Sequence, residues 1–582
     1  MFRFLYNILR YVKHNTFYFL FMLSLGWAER IAPISEIRAL RKIERGPCSH
    51  FEELDDVGIA IFANRGWRIH KALEGVLGRA LLERGHHVEA ICGDCLPYSE
   101  CFDEVLDGFE LDIQQRYLSN YIQASFYQFG VPTSLLSEWL HSGEREKIRS
   151  RLDSHDGRWK NFHYQGYPIG EWGLTSVAWR LTGETIDESD QFTRSLYRKV
   201  VETGCVMVEA CERYFEEREP EVVVLMNGIF IPERVVFELA RERNIRVVTH
   251  EHGHHQNSFV FDHNKSSNYF NYDAEWQIRR ETPLSDKERS RIASYLQQRA
   301  GASAKEVAVD YWPEISSDRD RIEDRLGTSL DKNTLVLFPN IVWDSAALKR
   351  DIAFDGLMDW IAESVEAMAS ISDKQLIIRA HPAEVRLGRR TTERVGKRLK
   401  GAFPGLPEDV YFIPPESDIS SYALMEESEA VLVYTSTTGL EAAVRGIPTV
   451  VAGETHYRGE GWTIDIDTRD QYRRVLAEDL RDLAPSDEDC ERALRYAHLF
   501  FFEGHIRLPF FDRPREGGVT NFLIDDMREL RPGRTQVLDE LCEAVTKGRS
   551  FVYPGKCDKA ARQEIDQGVF GGHPGNPEIS VD

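Results

Sequence analysis

Four hydroxyl side chains in a row precede a glycine in the second half of the chain. The segment Thr435-Ser-Thr-Thr-Gly439 follows an apolar run that ends at Tyr434, and Glu441 comes two residues after the glycine. A turn that leads from a strand into a helix leaves backbone amides unpaired at the positive end of the helix dipole, which favours phosphate there. The residues that we expect at a nucleotide phosphate are Ser436, Thr437, Thr438 and Gly439.

This hydroxyl-rich turn has a simpler interpretation as well. Serine and threonine are preferred helix caps, so the segment is also typical of a plain N-terminus. Glu441, just inside the helix, is placed to accept hydrogen bonds from ribose hydroxyls or only to complement the helix dipole.

A basic residue and an imidazole follow another apolar run, Leu376-Ile-Ile-Arg379, in the order Arg379-Ala-His381-Pro382. Pro382 stiffens the turn, His381 can hydrogen-bond a leaving phosphate, and Arg379 can neutralise that phosphate or hold the lobe together. We therefore place Arg379, His381 and Pro382 with the phosphate-binding residues.

The segment His250-Glu-His-Gly-His254 has the spacing of a zinc-protease motif. That motif needs a helix, so that two histidines four residues apart share a face. Here it follows a β-branched run directly and contains Gly253, which favours a loop and argues against zinc. Glu251 is then the leading catalytic candidate, as an acid, a base or a nucleophile, with His252 beside it. Asp344, after the strand-like run that ends at Phe338, is a further catalytic candidate or a helix cap.

The elements that position these residues alternate between strand and helix patterns. Strand-like runs at 57–62, 86–91, 221–226 and 245–249 are followed by a second series at 334–338, 375–379, 410–413, 430–434 and 449–452. This order is typical of parallel sheets covered by helices, in which ligands bind beyond the carboxyl ends of the strands. The sequence therefore predicts an α/β fold with two Rossmann-like lobes that face a cleft.

The predicted domains are an N-terminal aromatic and basic helical segment (1–48), a Rossmann-like acceptor lobe (49–300), a linker (301–332), a nucleotide-donor lobe (333–490), and C-terminal helices with a flexible tail (491–582). The first segment has an apolar stretch too short to span a bilayer but suited to a helix lying in the headgroup region. Packing of this amphipathic helix on the protein's own surface is the alternative.

Four motifs resemble bacterial capsule polysaccharide synthesis proteins, among them the Kdo transferases. They are Arg379-Ala-His-Pro382, Ser436-Thr-Thr-Gly-Leu-Glu-Ala442, Arg445-Gly-Ile-Pro448 and His456-Tyr-Arg-Gly-Glu-Gly-Trp-Thr463. The resemblance implies the two-lobed GT-B fold and transfer of a sugar from a nucleotide-activated donor, often CMP-linked, without a metal. It also implies that the His-Pro and Ser-Thr elements hold the nucleotide phosphate.

The family's acidic Glu-Asp-Gly element falls on Glu251-His252-Gly253, where a histidine replaces the aspartate. This replacement argues against Kdo as the sugar and against a mechanism that uses that aspartate. Glu460 and Trp462 also depart from the closing loop of the family. The His-Pro and serine-rich pair is similar to polyglycerol-phosphate polymerases and bacterial sialyltransferases too, so it indicates the leaving group better than the sugar.

Composition limits the partners. With 72 basic and 95 acidic side chains the net charge is −23, which argues against a nucleic-acid partner. Nine cysteines without a secretory signal favour a reducing compartment. Cys92, Cys95 and Cys101 have ligand-like spacing, but no second paired half follows, so we expect no metal.

The sequence therefore predicts a cytoplasmic glycosyltransferase, peripheral on the inner membrane face, that builds a cell-surface polysaccharide. Its partners would be a nucleotide-sugar donor, which is a substrate and not a cofactor, and a glycan or glycolipid acceptor. The alternatives are a nucleotide-sugar 2-epimerase, a polyol-phosphate transferase and a non-catalytic scaffold of an export complex.

Overall fold

The computed structural model describes Leu40, Lys42 and Ile43, and then residues 58–99, 111–255, 257–300, 316–345, 347–386, 391–512 and 521–553, with the backbone alone at 111–117. Apart from Leu40, Lys42 and Ile43, the predicted N-terminal segment (1–48) lies outside these residues, as do Cys101 and the predicted tail beyond 553. Two open sheets organise the described chain.

The first sheet has seven strands in the spatial order β13-β6-β5-β4-β1-β2-β3. All neighbouring pairs are parallel except β5 with β6 and β6 with β13. The strands are β1 (Gly58–Ala63), β2 (His87–Cys92), β3 (Thr133–Leu135), β4 (Val222–Met226), β5 (Arg246–His252), β6 (Ser258–His263) and β13 (Ile506–Arg507).

Strand β4 shows why this sheet is buried on both faces. Its sequence, Val-Val-Val-Leu-Met, is apolar without alternation, and each residue is buried. Val223 packs into a core on one face of the sheet, whereas Val224 packs into the core on the other. A parallel sheet covered by helices on both faces requires such a continuous apolar run.

Helices cover both faces of the first sheet. The long α6 is capped by Asp190, whose carboxylate accepts a 2.8 Å hydrogen bond from the Thr193 amide. The first turn of α7 contains a proline, whose fixed φ suits that position. The helices are α1 (Arg68–Leu82), α2 (Leu111–Phe129), α3 (Glu144–Asp153), α4 (Ile169–Trp172), α5 (Leu174–Leu181), α6 (Gln191–Arg218) and α7 (Ile231–Glu242).

The second sheet has six parallel strands in the order β12-β11-β10-β7-β8-β9. Its strands are β7 (Asn333–Phe338), β8 (Lys374–Arg379), β9 (Val410–Ile413), β10 (Ala430–Val433), β11 (Thr449–Val451) and β12 (Ile464–Asp465). The helices around it are α8 (Asp273–Arg279), α9 (Asp286–Ala300), α10 (Arg319–Leu326), α11 (Leu357–Met368), α12 (Ala383–Arg386), α13 (Val395–Ala402), α14 (Ser421–Glu426), α15 (Thr438–Val444), α16 (Arg469–Ala477) and α17 (Asp487–His498).

Two segments belong to a different lobe from the one that their place in the sequence predicts. Helices α8 and α9 precede the predicted linker, but Trp276 and Tyr295 on them pack into the core of the second lobe. The predicted linker itself contains α10. After α17 the chain returns to the first lobe, where β13 pairs with β6 and α18 (Gln536–Lys547) packs on the core next to α1. A small antiparallel pair, β14 (Phe511–Asp512) with β15 (Asn521–Phe522), lies between them.

The two lobes touch along one seam. The rings of Trp179 and Trp343 meet edge to face at 4.7 Å, and the Thr392 amide donates to the Thr182 carbonyl at 3.0 Å. The predicted α/β architecture with two Rossmann-like lobes is confirmed, and the carboxyl ends of the central strands of both sheets open on the space between the lobes.

None of the helices in the described part of the chain combines the length and the apolar character needed to cross a membrane.

Candidate active site

A cavity of about 290 Å³ lies between the lobes, where strands of both sheets end. The first lobe supplies the end of β5 and the turn at 268–270, and the second lobe supplies the loops that follow β7, β8, β10 and β11. Among the predicted site residues, those that line the cavity are Glu251, His252, Asp344, His381, Ser436 and Thr437.

Glu251 is held at the end of β5 by three donors. Asn227 Nδ2 lies 2.6 Å from its Oε2, the amide of His252 lies 2.7 Å from its Oε1, and His70 Nε2 lies 3.4 Å from Oε1. Burial alone would raise the pKa of Glu251, but the hydrogen bonds from His70, Asn227 and the His252 amide lower it to about 2. Glu251 is therefore a carboxylate at neutral pH.

The zinc-protease arrangement does not form. The segment from Arg246 to His252 is a strand, so the two outer histidines of the motif do not share a helix face. Nδ1 of His250 lies 3.2 Å from Nδ1 of His70, and Nδ1 of His254 lies 3.1 Å from Nε2 of His505. Burial and the neighbouring His505 keep the pKa of His254 well below its usual value, so this ring is neutral.

Asp344 lies in the turn after β7, in the second-lobe wall of the cavity. The next residue, Ser345, accepts a 3.3 Å hydrogen bond from Asn268 Nδ2 of the opposite wall. Asn340, in the same turn, accepts a 3.2 Å hydrogen bond from the amide of Thr435. The ends of β7 and β10 are therefore fixed relative to each other beside the cavity.

The hydroxyl-rich turn presents only part of itself to the cavity. Ser436 Oγ accepts from the Thr438 amide at 3.2 Å, and its backbone carbonyl accepts from Tyr457 Oη at 2.6 Å. Gly439 lies behind the turn, where a Cβ atom would stand 2.3 Å from Tyr457 Oη. The glycine is thus required by packing, and Thr437 and Ser436 are the residues that reach the cavity.

Arg379 and His381, at the end of β8, differ in position: only His381 lines the cavity. His381 lines the cavity, and its Nδ1 accepts from the Ala383 amide at 3.1 Å. Burial and the adjacent Arg379 lower the pKa of His381 to about 4, so the ring is neutral at pH 7. Arg379 is buried and donates to the carbonyls of Pro414 at 2.6 Å and Ser417 at 3.1 Å.

Arg379 therefore holds the loop after β9, and neither it nor Pro382 is among the residues that line the cavity. Of the two roles predicted for Arg379, the contacts match the structural one.

Glu441 is also engaged inside the lobe. Its Oε1 accepts from Arg299 Nε at 2.9 Å and its Oε2 accepts from Tyr422 Oη at 2.7 Å. Only 1% of the residue is exposed. The structure does not bring Glu441 to the cavity, nor Thr438 and Gly439.

Several cavity residues are not among the predicted site residues, although Thr435 belongs to the hydroxyl-rich segment and His456 to the fourth motif. Arg350 is the one arginine or lysine among the lining residues, and its guanidinium lies 3.9 Å from the centre of the Tyr269 ring. In the described part of the chain, Thr435 Oγ1, Thr455 Oγ1 and His456 Nε2 are buried without a hydrogen-bond partner. Burial and the nearby Arg350 lower the pKa of His456 to about 3. Unpaired buried polar atoms on a cavity wall are suited to a polar ligand.

Several histidines and carboxylates line the cavity, but no three of these described residues come close enough together to hold an ion. Within the described chain, the one group of three His, Cys, Asp or Glu residues with atoms close enough for an ion is Glu288, His498 and Glu503. Arg279 already occupies it, with Nη2 3.0 Å from Glu288 Oε1 and 3.1 Å from His498 Nδ1. Cys92 and Cys95 are free thiols whose pKa burial raises to about 12.

Two α/β lobes, each covered by helices on both faces of its sheet, have a polar cavity where their strand ends meet, and this is the two-lobed architecture of the GT-B type. Residues 268–484 match the family described as "Capsule polysaccharide biosynthesis protein", which is the family that the four motifs resemble. The matched segment runs from the turn at the cavity through the second lobe. No curated protein matches the chain at a significant level.

Solved structures resemble the chain only in outline. The β-Kdo 2,4-transferase KpsC of Thermosulfurimonas dismutans is 15% identical over 47% of this chain and 78% of its own, with a TM-score of 0.33. The UDP-GlcNAc 2-epimerase of Neisseria meningitidis is 11% identical over 77% and 98%, with a TM-score of 0.24. The calicheamicin glycosyltransferase CalG4 is 12% identical over 76% and 94%, with a TM-score of 0.25. Scores this low say nothing about substrate.

Proposed function

We propose that the protein is a glycosyltransferase of capsule polysaccharide biosynthesis that moves a sugar from a nucleotide-activated donor to a glycan or lipid-linked acceptor. The observation that carries this proposal is the arrangement across the cavity. The ionised Glu251 on the first lobe faces a second-lobe wall that holds the hydroxyls of Ser436 and Thr437, the neutral imidazole of His381, and Arg350 in an ion pair with Glu454 at 3.6 Å.

The second-lobe wall suits the leaving nucleotide phosphate. Ser436 and Thr437, which directly precede α15, supply hydroxyls, His381 supplies a neutral imidazole, and Arg350 supplies a positive charge. A phosphate leaving with an extra negative charge is stabilised by such preorganised donors in a site that excludes water. The proposal needs no metal, because Arg350 and these donors face the developing charge. CMP is one donor nucleotide to be tested, since the motifs resemble CMP-sugar enzymes.

Glu251 fits a role as a carboxylate. A group with a pKa of about 2 is ionised at neutral pH and cannot serve as a general acid. It can instead stabilise positive charge at the anomeric carbon as the bond to phosphate breaks, or orient the acceptor hydroxyl that attacks that carbon. On the opposite wall the lining carboxylates are Asp344 and Glu454; Glu454 pairs with Arg350, which leaves Asp344 as the second candidate to contact acceptor or sugar.

The test is sugar transfer by purified protein, followed by mass spectrometry. Wild type is incubated with CMP-, CDP-, UDP- and GDP-sugars in the presence and absence of capsule oligosaccharide acceptors. Glu251→Gln, which keeps the side-chain shape and loses the charge, should lower turnover about 100-fold or more with little change in nucleotide affinity. A product that forms from the donor alone would make the protein an epimerase, and full activity of Glu251→Gln would remove this residue from the mechanism.

We also propose that the enzyme works at the cytoplasmic face of the inner membrane, with residues 1–48 as its contact. The basic residues of that segment suit anionic lipid, which the acidic remainder of the chain would avoid. Sedimentation with vesicles that contain anionic lipid tests this, using the full chain and a variant without residues 1–48. Equal binding of both would contradict the proposal.

A further inference from the structure

A continuous series of ionisable side chains runs from the cavity into the first lobe. Its members, in order, are Glu251, His70, His250, Glu74 and Lys71. His70, Lys71 and Glu74 lie on α1, whereas His250 and Glu251 are consecutive residues at the end of β5. His70, Lys71, Glu74 and His250 are each at most 3% exposed. Water therefore cannot balance their charges, and the series must balance its own.

The two histidines occupy the middle of the series, and each of their four ring nitrogens lies within 3.4 Å of a carboxylate oxygen or of the other ring. His70 Nε2 lies 3.4 Å from Glu251 Oε1, and the Nδ1 atoms of the two rings lie 3.2 Å apart. At the far end, His250 Nε2 lies 3.2 Å from Glu74 Oε1. Glu74 in turn forms an ion pair with Lys71.

These contacts determine how many protons the two histidine rings hold. A ring nitrogen that faces a carboxylate must carry hydrogen, and two ring nitrogens that face each other need one hydrogen between them. Three contacts therefore need three ring protons, whereas two neutral imidazoles have only two. The pair must hold one extra proton and carry a charge of +1.

The surrounding groups agree with this count. Burial alone would raise the pKa of Glu74, but Lys71 and His250 together hold it below its usual value, so Glu74 is a carboxylate. Burial lowers the pKa of His70 despite the neighbouring Glu251. Lys71 and the histidine pair, each with a charge of +1, then balance the two carboxylates Glu74 and Glu251.

The other neighbours of the series add no charge. The thiol of Cys92, which faces Lys71 and Glu74, has a pKa raised by burial to about 12 and stays neutral. Asn227 bonds the outer oxygen of Glu251. The remaining contacts are aromatic: Trp67, Phe126, Phe259 and Phe261.

We propose that His70 and His250 are positioning residues that hold three ring protons between them, and that this buried cation keeps Glu251 as an oriented carboxylate at the cavity. The catalytic consequence rests on the proposed glycosyl transfer, whereas the proton count does not. Glu74 lies behind both rings, yet it controls Glu251, because the histidine pair keeps its extra proton only while a carboxylate faces His250.

The proton count is measured by solid-state ¹⁵N NMR of the sedimented full chain labelled at histidine, at pH 7.5. Subtracting the spectrum of the double variant His70→Phe with His250→Phe from that of wild type should reveal three protonated nitrogens and one bare nitrogen for the pair. The isosteric Glu74→Gln should convert one of the protonated nitrogens to a bare nitrogen. Two protonated and two bare nitrogens in wild type, or an unchanged spectrum in Glu74→Gln, would overturn the proposal.

The pH profile of turnover tests the consequence. Glu74→Gln should lower kcat about 10-fold to 100-fold, the effect of one hydrogen bond to a charged group, and move the acidic limb to higher pH with KM for the donor unchanged. Glu83→Gln is the matched control, because Glu83 is a buried carboxylate on the same helical segment that binds Arg79 instead. Equal profiles for the two variants would mean a merely structural role. If wild type transfers no sugar at all, the proposed function fails while the proton count is still decided by NMR.

Discussion

Nδ2 of Asn227 lies 2.6 Å from Oε2 of Glu251 and links the ends of β4 and β5 at the wall of the cavity. The backbone of Asn227 has a φ of +26°, and its own Oδ1 accepts from the Ile229 amide at 3.2 Å. These features orient the loop after β4 so that the side-chain amide of Asn227 donates to the carboxylate of Glu251.

Asn227→Gly should destabilise the protein by about 1–3 kcal/mol at pH 7, the value of a hydrogen bond to a charged group. Glycine suits the positive φ, so the loss reports the two missing side-chain hydrogen bonds, and the part that depends on pH reports the one to Glu251. The folded pKa of Glu251 lies below its model-compound value of 4.5, so this stability is present above pH 4.5 and is lost as the pH falls towards 2. Urea unfolding at pH 7 and pH 3 measures it.

The control for this change is Asn244→Gly, another asparagine with positive φ, at 57°, which is exposed. It should leave stability unchanged or slightly raised. If Asn227→Gly behaves in the same way at pH 7, the bond to Glu251 contributes nothing.

Glu441→Gln should cost about 3–5 kcal/mol, because it leaves the Arg299 guanidinium largely buried without its carboxylate. Tyr422→Phe, which removes only the hydroxyl that bonds Glu441, should cost about 1 kcal/mol. Urea unfolding gives both values, and calorimetry on the folded variants should find wild-type nucleotide affinity. Weaker nucleotide binding by Glu441→Gln with unchanged stability would restore the ribose role.

Glu184→Gln should stabilise the protein at alkaline pH. Burial, against the opposing effect of Arg398, raises the pKa of Glu184 from 4.5 to about 7 at the seam between the lobes. A carboxyl with a raised folded pKa contributes its stability below pH 4.5 and loses it as the pH rises through 7. The gain in the variant should grow from near zero at pH 4.5 to as much as about 3 kcal/mol at pH 8.5.

Thermal unfolding across this pH range measures the Glu184 effect. Glu393→Gln removes a neighbouring carboxylate that pairs with Arg398 and helps to raise the pKa of Glu184, so it should weaken the wild-type trend with pH without removing it. A parallel trend in Glu184→Gln and wild type would show that this carboxyl does not titrate differently in the folded state.

Arg350→Gln should weaken nucleotide binding about 10-fold to 100-fold, since it removes the one arginine of the cavity wall. The salt dependence of binding should fall as well. Tyr269→Phe keeps the ring under the guanidinium and serves as the control, with unchanged affinity. Calorimetry at low and high salt distinguishes the two, and wild-type affinity in Arg350→Gln would place the phosphate elsewhere.

Much of the fold is predictable from sequence because the strands are short, apolar and regularly spaced. The continuous apolar run from Val222 to Met226 is typical of a parallel strand covered by helices on both faces of the sheet. Residues directly after such strands, including Glu251, His381 and Ser436, lie at the cavity because the carboxyl ends of parallel strands share one edge of a sheet.

The remaining site residues depend on partners that are distant in sequence. His70 lies in the first turn of α1 with no motif around it, and its ring faces His250, 180 positions away. Arg379 and Glu441 have the right types and positions for a phosphate or a ribose, but the Pro414 carbonyl and the Arg299 guanidinium engage them inside the lobe. The return of the chain to the first sheet at β13 carries no sequence signal either, since that strand has only two residues.

The central claim is that the wall formed by Ser436, Thr437 and His381 binds the phosphate of a nucleotide-activated sugar. Calorimetric titration of wild type with CMP, CDP, UDP and GDP tests it directly when compared with the double variant Ser436→Ala with Thr437→Ala. We predict that one nucleotide binds wild type and that the double variant binds it at least about 10-fold more weakly while unfolding at the same temperature. Equal affinity in the two proteins, or no binding of any nucleotide to wild type, would contradict the account.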